Sequence, residues 1–423
     1  MMAKFFIKGG GGAEAALTGE IEVKGSKNTA LAALASSLLF KNKVEFQNFP
    51  EIEDIKRMRE LIFSINENGE VDHEIAKRFR ASILVVGPLL ARFGKAVFPH
   101  PGGCVIGARP IDVFIKGWEA MGGKVEVSGK TGGGNLIYSI ETTQGLKGCD
   151  YVFKTQSVTG TEGLMMTALL ADGKTTLRNC AMEPEIRCLA DFLNENGAEI
   201  RGAGTSTIII EGRSGKLLGG TKPFINPPDR IEAGTLAILG ALAAKELRIK
   251  NFPMGELSAL VGALKDAGAN LNDVEILPHQ SNIMIKRAKN LRAVSVKTKE
   301  YPGFPTDLQA PFAVLATQAE GQSFIHETIF EGRLAYTENL SRMGAKISLM
   351  DPHRAIITGP TKLYARSLES PDLRAGLAFV IAALIAEGES EIGNIYQIDR
   401  GYEKIDERLR AIGAGIKRTT NNK

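Results

Sequence analysis

At five places along the chain, the spacing of hydrophobic and polar residues changes from that of a helix to that of a strand. Each place has an apolar-periodic helix, then a glycine, then a strand-like run: Met121-Gly122-Gly123-Lys124-Val125, Asn196-Gly197-Ala198-Glu199-Ile200, Ala267-Gly268-Ala269-Asn270-Leu271, Met343-Gly344-Ala345-Lys346-Ile347 and Ile412-Gly413-Ala414-Gly415-Ile416. Glycine directly after a helical pattern is typical of the residue that ends the helix with a positive φ. Successive glycines stand between 69 and 76 residues apart, and such a period indicates duplicated units.

A second pattern precedes each of these segments, a helix of small apolar residues that leads into a β-branched strand. Its five instances are Ala30–Phe40 with Val44–Phe49, Gly163–Ala171 with Thr175–Asn179, Gly234–Ala244 with Leu247–Phe252, Ala310–Ala319 with Ser323–Glu327, and Arg374–Ala386 with Glu389–Ile395. Each unit is therefore predicted to run strand, helix, strand, helix, strand. Helices should then pack on sheet faces in compact α/β domains.

Six such units fit the length of the chain. The first would run from Val23 to about Ile83, and the second would open at the glycine-rich loop around Cys104. Residues Asn66–Arg80 are polar and poor in strand signals where later units carry a full second helix and strand. The first unit is therefore predicted to be shortened.

Five predicted helix starts carry capping residues, and four of them also carry a cation, at Lys27, Arg109, Arg230 and Arg374. They are Gly25-Ser26-Lys27-Asn28, Ala108-Arg109-Pro110, Pro228-Asp229-Arg230, Pro305-Thr306-Asp307 and Pro371-Asp372-Leu373-Arg374. Ser, Thr, Asp and Pro there are ordinary capping residues, but the helix dipole disfavours a cation in the first turn. The cations are therefore predicted to surround an anionic ligand. Salt bridges to nearby carboxylates, such as Arg230 with Asp229 or Glu232, are the alternative.

The stretch Pro101–Pro110 combines a thiol, three glycines and an arginine. Glycines on both sides of Cys104 favour a mobile loop, and Arg109 should lie near the N-terminus of the helix that follows. A thiol close to a fixed cation can serve as an acid or a nucleophile. A glycine-rich surface turn with an incidental cysteine explains these ten residues equally well.

Composition limits the function classes. A net charge of +4 over 423 residues argues against a dedicated nucleic-acid binder. The four cysteines form no CxxC pair, which favours reduced thiols in a cytoplasmic protein without a zinc site. No signal peptide or membrane span is predicted, since the longest apolar run, Ala375–Ala386, is too short to cross a bilayer. The glycine runs match no nucleotide-binding motif.

Taken together, these stretches resemble the enolpyruvyl transferase family, and within it the carboxyvinyltransferases that act on UDP-N-acetylglucosamine. The resemblance covers essentially the whole chain and rests on Gly25-Ser26-Lys27-Asn28, Pro101–Pro110, Pro228–Thr235, Phe304-Pro305-Thr306-Asp307, Glu327–Arg333, Asp372-Leu373-Arg374-Ala375 and Ile398–Glu403. Several blocks in the right order are a highly specific signal. The resemblance implies a two-domain inside-out α/β barrel, each domain made of three βαβαββ repeats around buried helices.

In that family the active site lies between the two domains. By resemblance, residues 27–228 would form an inserted domain that carries the Cys104 loop. Residues 1–26 and 229–423 would together form the other, catalytic domain with three repeats.

The implied reaction transfers the enolpyruvyl group of phosphoenolpyruvate to the 3′-hydroxyl of UDP-N-acetylglucosamine by addition and elimination, with release of phosphate. It is the first committed step of peptidoglycan synthesis and the target of fosfomycin. The resemblance implies no partners other than the two substrates, and in particular no nucleic acid. It also implies a cytoplasmic enzyme without membrane insertion and without a metal or organic cofactor. A small polyanion of this kind requires guanidinium and ammonium groups around it.

Residue roles follow from matched motif positions. Cys104 would be the general acid at C3 of phosphoenolpyruvate, and Asp307 the base near the 3′-hydroxyl and the C3 proton. The phosphate would be bound by Lys27, Arg109 and Arg400, of which Lys27 and Arg400 join the catalytic set. The carboxylate would be bound by Arg333 and Arg374. Residues implied to contact the UDP-sugar are Asn28, Arg80, Arg109, Pro110, Ile111, Asp112, Val113, Ser157, Val158, Asp307 and Ile329.

Three departures from the family pattern bear on the nucleotide side. Phe114 stands where the family usually has histidine, Thr155 where a lysine often lies, and Thr159-Gly160 where glycine-alanine is usual. They leave open a paralogue that acts on another nucleotide acceptor. A non-catalytic relative that binds a UDP-sugar is a further alternative, and the related shikimate-phosphate enzyme is disfavoured by the Gly-Gly-Cys loop.

Overall fold

The structure is a computed structural model that describes residues 3–10, 17–102, 107, 110–129, 136–269, 271–276 and 281–419. The chain divides into two compact units. The terminal unit contains the described residues of 3–24 and 228–419, and the inserted unit contains those of 25–102 and 110–227.

Helices and strands alternate along the described part of the chain. The helices are α1 (Lys27–Ser36), α2 (Glu53–Phe63), α3 (His73–Ala76), α4 (Val86–Phe93), α5 (Asp112–Ala120), α6 (Val158–Ala168), α7 (Pro184–Glu195), α8 (Arg230–Ala243), α9 (Ser258–Asp266), α10 (Gln309–Gln318), α11 (Thr337–Arg342), α12 (Leu373–Ile385), α13 (Tyr396–Asp399) and α14 (Ile405–Ala411). The strands are β1 (Lys4–Gly10), β2 (Leu17–Glu22), β3 (Phe46–Gln47), β4 (Lys95–Pro99), β5 (Lys124–Ser128), β6 (Ile137–Glu141), β7 (Asp150–Val152), β8 (Lys174–Arg178), β9 (Glu199–Arg201), β10 (Thr207–Glu211), β11 (Phe224–Ile225), β12 (Ala244–Phe252), β13 (Leu271–Ile276), β14 (Ser281–Ile285), β15 (Val296–Lys297), β16 (Gly321–His326), β17 (Lys346–Asp351), β18 (Arg354–Gly359), β19 (Ser367–Glu369), β20 (Glu387–Gly393) and β21 (Ile416–Thr419). Among the described residues, no helix is both long and apolar enough to cross a membrane.

In the terminal unit, three buried helices are accompanied by three four-stranded sheets. Helices α8, α10 and α12 contact one another, and α8 and α12 are buried along their whole length. The sheets have the strand orders β13-β14-β12-β2, β15-β16-β18-β17 and β19-β20-β1-β21. Helices that are apolar on every face belong in the centre of a core, which explains the runs of alanine, leucine and glycine in their sequences.

The inserted unit repeats this plan less completely. Its sheets have the orders β7-β8-β10-β9, β4-β6-β5 and β11-β3, and its buried helix α6 contacts both α1 and α4. The first copy keeps only the two-residue strand β3, which pairs in parallel with β11. No strand lies within Asn66–Arg80, as the sequence predicts.

The predicted start of the second copy is wrong. Helix α4 and strand β4 already belong to this copy, because β4 pairs with β6, which also pairs with β5. The loop around Cys104 therefore lies inside the copy, between β4 and α5. Helix α4 has only eight residues and contains Gly87 and Pro88, and both residue types weaken a helical pattern in the sequence.

The five predicted helix ends are confirmed. Gly122, Gly197, Gly268, Gly344 and Gly413 follow α5, α7, α9, α11 and α14 with φ values of 93°, 99°, 88°, 109° and 98°. After α7, for example, Ala198 N donates to Leu193 O at 3.0 Å, the bond that closes a glycine-terminated helix end. The same local chemistry thus ends the second helix in five of the copies.

The two chain segments that join the units run side by side. Within the terminal unit Asp229 N donates to Lys24 O at 2.8 Å, and within the inserted unit Ser26 N donates to Pro227 O at 2.7 Å. The second residue of the inserted unit is therefore hydrogen-bonded to its last residue.

Candidate active site

In the terminal unit, two arginines converge on one carboxylate. Arg333 Nη2 donates to Asp307 Oδ1 at 2.8 Å, and Arg374 Nε donates to Asp307 Oδ2 at 2.9 Å. Asp307 lies in a 3₁₀ turn that leads into α10, and Arg374 is the second residue of α12. Three residues that the sequence places far apart are thus brought together where two buried helices begin.

The two guanidinium groups control the ionisation of Asp307. Burial by itself would raise the pKa of this carboxyl, but the charges of Arg374 and Arg333 outweigh burial and hold the pKa well below its usual range. Asp307 is therefore an ionised carboxylate engaged on both oxygens. To act as a base of moderate pKa, it would have to leave at least one of the two arginines.

Tyr402 fixes Arg374 from a second direction. Its hydroxyl accepts from Arg374 Nη1 at 2.9 Å, and its ring centroid lies 5.4 Å from the Arg374 guanidinium carbon. The Asp372 side chain caps α12 by accepting from Arg374 N at 2.8 Å. The guanidinium is consequently held by a carboxylate, a phenol and a capped helix end.

Arg400 follows α13 in a neighbouring segment of the same unit. It is 7% exposed, and its Nη1 donates to Gln397 Oε1 at 3.0 Å. A Cβ on the next residue, Gly401, would lie 2.3 Å from Leu373 Cδ1, so this segment packs tightly against the start of α12. Ile329, which the resemblance assigns to the sugar, lies in a turn after β16, where its N–H donates to Glu327 Oε1 at 2.8 Å.

In the inserted unit, Lys27 and Asn28 are the first two residues of α1, which Ser26 caps by accepting from Thr29 N at 3.4 Å. Lys27 Nζ lies 2.8 Å from Asp54 Oδ2, and both side chains are at least nine-tenths buried. Lys27 thus forms a salt bridge, which was the alternative to an anionic ligand for these cations. Its carboxylate comes from α2 and not from an adjacent residue.

Arg230 has an aromatic neighbour, and one of the two carboxylates proposed for it pairs with another arginine. Glu232, one of its two proposed partners, pairs with Arg408 at 2.6 Å. The Arg230 guanidinium carbon lies 5.7 Å from the centroid of the Tyr301 ring.

The residues assigned to the nucleotide gather at the starts of α5 and α6. Arg80 Nη2 donates to Pro110 O at 3.1 Å. Ile111 precedes α5, Asp112 begins it, and Tyr151 donates to Val113 O at 3.0 Å. The Ser157 hydroxyl caps α6 by accepting from Gly160 N at 3.1 Å, and Val158 is the first residue of that helix.

Val113 connects these two helix starts. A Cβ on Gly160 would lie 3.1 Å from Val113 Cγ2. The side chain of Val113 therefore packs against the first turn of α6.

Cys104 and Arg109 lie outside the described residues. Of the other three thiols, Cys180 is buried and has its pKa raised to about 12 by burial. Burial and the neighbouring Asp150 also raise the pKa of Cys149. These two thiols have the properties of inert structural cysteines.

Of the three departures from the family pattern, Phe114 belongs to the core. It is 1% exposed, its ring lies 5.5 Å from that of Trp118, and it would contact a Cβ on Gly163 at 2.9 Å. This departure alters the packing between α5 and α6. Thr155 is exposed and Thr159 half-buried, so these two departures lie nearer the surface.

The sequence did not predict three residues that organise these sites: Asp54, Tyr402 and Glu327. Asp54 and Tyr402 meet their partners only through tertiary packing, and nothing in their local sequence indicates it. For Glu327 the sequence does offer a local indication. The side chain of an acidic residue can accept hydrogen bonds from the main-chain N–H groups of the residues two and three positions after it.

The comparisons with known proteins agree with one another. The family model described as EPSP synthase (3-phosphoshikimate 1-carboxyvinyltransferase) matches residues 12–409. A protein of Koribacter versatilis named UDP-N-acetylglucosamine 1-carboxyvinyltransferase is 43% identical, over 99% of this chain and 96% of its own length. A protein of Cellvibrio japonicus with the same name is 42% identical, over 99% of each chain.

Solved structures of low sequence identity share the fold. The enolpyruvyl transferase NikO from Streptomyces tendae aligns with a TM-score of 0.87 at 21% identity, over 100% of both chains. An EPSP synthase from Acinetobacter baumannii aligns with a TM-score of 0.73 at 20% identity, over 99% of this chain and 100% of its own. The predicted inside-out α/β fold class is confirmed.

Proposed function

Because the chain belongs to the EPSP synthase (3-phosphoshikimate 1-carboxyvinyltransferase) family, a family of enolpyruvyl transferases, we propose that it transfers the enolpyruvyl group of phosphoenolpyruvate to the 3′-hydroxyl of UDP-N-acetylglucosamine. The names of relatives 41–43% identical over nearly the whole chain support this acceptor over shikimate 3-phosphate. The reaction would be cytoplasmic and would open peptidoglycan synthesis.

The observation that carries the proposal is the convergence of Arg333 and Arg374 on the Asp307 carboxylate. These buried guanidinium groups are already arranged to hold a carboxylate, which is what phosphoenolpyruvate offers at one end. Lys27, Arg109 and Arg400 are proposed to hold its phosphate at the other end. Lys27 and Arg400 are less than one-tenth exposed, which strengthens their interaction with an anion.

The proposed chemistry has two steps. The 3′-oxygen of the sugar bonds to C2 of phosphoenolpyruvate and loses its proton, while C3 gains a proton from the Cys104 thiol. In the second step the bond from C2 to the phosphate oxygen breaks, and the departing phosphate carries away the hydroxyl proton held by Asp307. Asp307 then takes the proton that C3 loses and returns it through solvent to the Cys104 thiolate, which leaves the enolpyruvyl ether, inorganic phosphate and an unchanged enzyme. Asp307 is proposed to accept the hydroxyl proton after it loosens from one arginine.

Two groups of residues are proposed to contact the acceptor. The nucleotide would be held by Arg80, Pro110, Ile111, Asp112, Val113, Ser157 and Val158. Asn28, Ile329 and Asp307 would contact the sugar.

The test is phosphate release from phosphoenolpyruvate by the purified protein with a panel of acceptors: UDP-N-acetylglucosamine, UDP-N-acetylgalactosamine, UDP-glucose, shikimate 3-phosphate and UDP alone. We expect turnover with UDP-N-acetylglucosamine well above the others. The Cys104→Ser variant should bind both substrates and lose most turnover, because a hydroxyl is a far weaker acid than a thiol.

Two results would overturn the proposal. Faster release with another sugar nucleotide would make the protein a paralogue with a different acceptor. Binding of UDP-N-acetylglucosamine without any phosphate release would make it a non-catalytic UDP-sugar binder.

A further inference from the structure

We infer that Glu327 is a positioning residue for the acceptor sugar, which holds the Ile329 main chain and the Asp307 turn at a fixed separation. The inference rests on the proposed function, which assigns both of those residues to the sugar. It adds a group that would touch neither substrate and would act through two residues that do.

The Glu327 side chain joins two segments of the terminal unit. Its Oε1 accepts from Ile329 N at 2.8 Å and from Phe330 N at 3.1 Å. Its Oε2 accepts from Thr306 Oγ1 at 2.8 Å, and Thr306 directly precedes Asp307. One carboxyl group thus connects the turn after β16 to the 3₁₀ turn before α10.

The main chain of Glu327 is anchored independently of its side chain. Glu327 N donates to His353 O at 2.7 Å, and His353 Nδ1 donates to Glu327 O at 2.8 Å. His353 lies in the hairpin between β17 and β18. The side chain therefore extends from a fixed point, and its two oxygens set the positions of the turns that they contact.

Burial makes this arrangement costly to disturb. Glu327 is 0% exposed, so a hydrogen bond lost from either oxygen is not replaced by one from water. Loss of the side chain would remove the hydrogen-bond acceptor of the Ile329 and Phe330 N–H groups and of the Thr306 hydroxyl. The two turns would then no longer be held at a fixed separation.

The bond from Ile329 also determines what this residue offers a ligand. Because its N–H is engaged by Glu327, its carbonyl is the main-chain group with which it can contact the sugar. A carbonyl accepts from a hydroxyl or an amide N–H, and both groups occur on N-acetylglucosamine. Glu327 thereby selects the direction of this contact as well as its position.

The experiment compares Glu327→Ala with Glu327→Gln. Alanine removes the connection, so we expect the KM for UDP-N-acetylglucosamine to rise about 10-fold or more while the KM for phosphoenolpyruvate changes less than about 3-fold. Glutamine keeps one acceptor for the two N–H groups, and its NH₂ can donate to the Thr306 hydroxyl, which is able to accept. The glutamine variant should therefore stay within about 3-fold of the wild type.

Thr306 provides a check on this mechanism. In a Thr306→Val background the glutamine NH₂ would face a methyl group, so the double variant should behave like Glu327→Ala. The matched control is Thr317→Val, since Thr317 is a buried threonine of the same unit whose hydroxyl donates within α10 to Val314 O at 2.7 Å. It should lower the thermal midpoint without separating the two KM values.

Failure of the inference is distinguishable from failure of the proposed function. A wild-type enzyme that turns over UDP-N-acetylglucosamine, with Glu327→Ala kinetics like those of Thr317→Val, would overturn the positioning role alone. Equal changes in both KM values would also overturn it. A wild-type enzyme without turnover on this acceptor would overturn the proposed function and the inference together.

Discussion

At the scale of single residues, Asp307 has two relations to its surroundings. Its carboxylate keeps the guanidinium groups of Arg333 and Arg374 directed at one point. A substrate carboxylate could bind to the same guanidinium groups in the position that Asp307 occupies. Arginine forks have five donors each, so each can hold Asp307 and still offer N–H groups to a second anion. Substrate binding would then loosen the hold on Asp307 and return some basicity to it.

Asp307→Asn should lower the free energy of unfolding by about 2 kcal/mol at neutral pH, because two buried guanidinium groups lose their common carboxylate. The pKa of Asp307 is depressed in the folded state, so its stabilisation is present above the pKa of the unfolded carboxyl, about 3.9. The difference between wild type and variant should be constant from about pH 8 to pH 5 and shrink below about pH 4. Denaturant unfolding at several pH values measures it.

The control for this variant is Asp150→Asn. Asp150 forms a bidentate pair with Arg178 at 2.9 Å, but both side chains are at least half exposed. Its removal should change stability little. Equal effects of the two variants would contradict the special role given to the buried arginines.

Residue types at the helix starts pointed to Lys27 and Arg374, because the helix dipole disfavours a cation in the first turn. The role of Asp307 followed from the family resemblance and stays a prediction. The partners of Lys27 and Arg374 were not predictable in the same way. Lys27 pairs with Asp54 of α2, and Arg374 pairs with Tyr402 in the turn after α13, so each partner is brought into place by tertiary packing.

At the scale of elements, the repeated helix ends show how one local rule serves many copies. Each C-terminal glycine adopts a positive φ that lets the chain turn from a helix directly into a strand. The surroundings differ: Gly344 lies close to Lys362 O, whereas nothing lies within 4 Å of a Cβ built on Gly413. At Gly413, backbone conformation is therefore the only requirement for glycine.

Gly413→Ala should lower the free energy of unfolding by about 1 kcal/mol, since an alanine must adopt the left-handed region. Gly262→Ala is the matched variant, because Gly262 is inside α9 and a Cβ there also meets nothing within 4 Å. That change should stabilise the protein by about 0.5–1 kcal/mol through helix propensity. Thermal or denaturant unfolding of both variants decides the matter, and the same sign for both would refute the argument.

Elements with strong periodicity were predictable, and short or interrupted ones were not. The five small-residue helices and the strands that follow them occur as expected, although β3 keeps only two residues of Val44–Phe49. Helix α4 escaped prediction because Gly87 and Pro88 interrupt a helix of eight residues. As a result, the start of the second copy was placed one helix and one strand too late.

At the scale of the whole molecule, each unit contains its own hydrophobic core. One core cluster consists of residues up to Val23 and from Ile231 onwards, and the other consists of residues from Ala30 to Phe224. The ends of the inserted unit meet through the bond from Ser26 N to Pro227 O. These are the features of a segment that can fold without the rest of the chain.

A fragment of residues 25–227 should therefore be monomeric and unfold in a single cooperative thermal transition, measured by circular dichroism and calorimetry. A fragment of residues 25–200 is the control, because it lacks β10, which pairs with both β8 and β9. The shorter fragment should show no such transition. A non-cooperative profile for 25–227 would show that its core is insufficient alone.

One sheet of the terminal unit has a consequence for how the protein is made. Strand β1 lies between β20 and β21 and pairs with both. The first described strand therefore cannot form these pairings until the last two strands have been synthesised. During translation, the inserted unit leaves the ribosome complete while nearly half of the polypeptide is still to be synthesised. Through that interval the early strand lacks both of the strands with which it pairs, so the sheet that contains it is among the last parts of the chain to form.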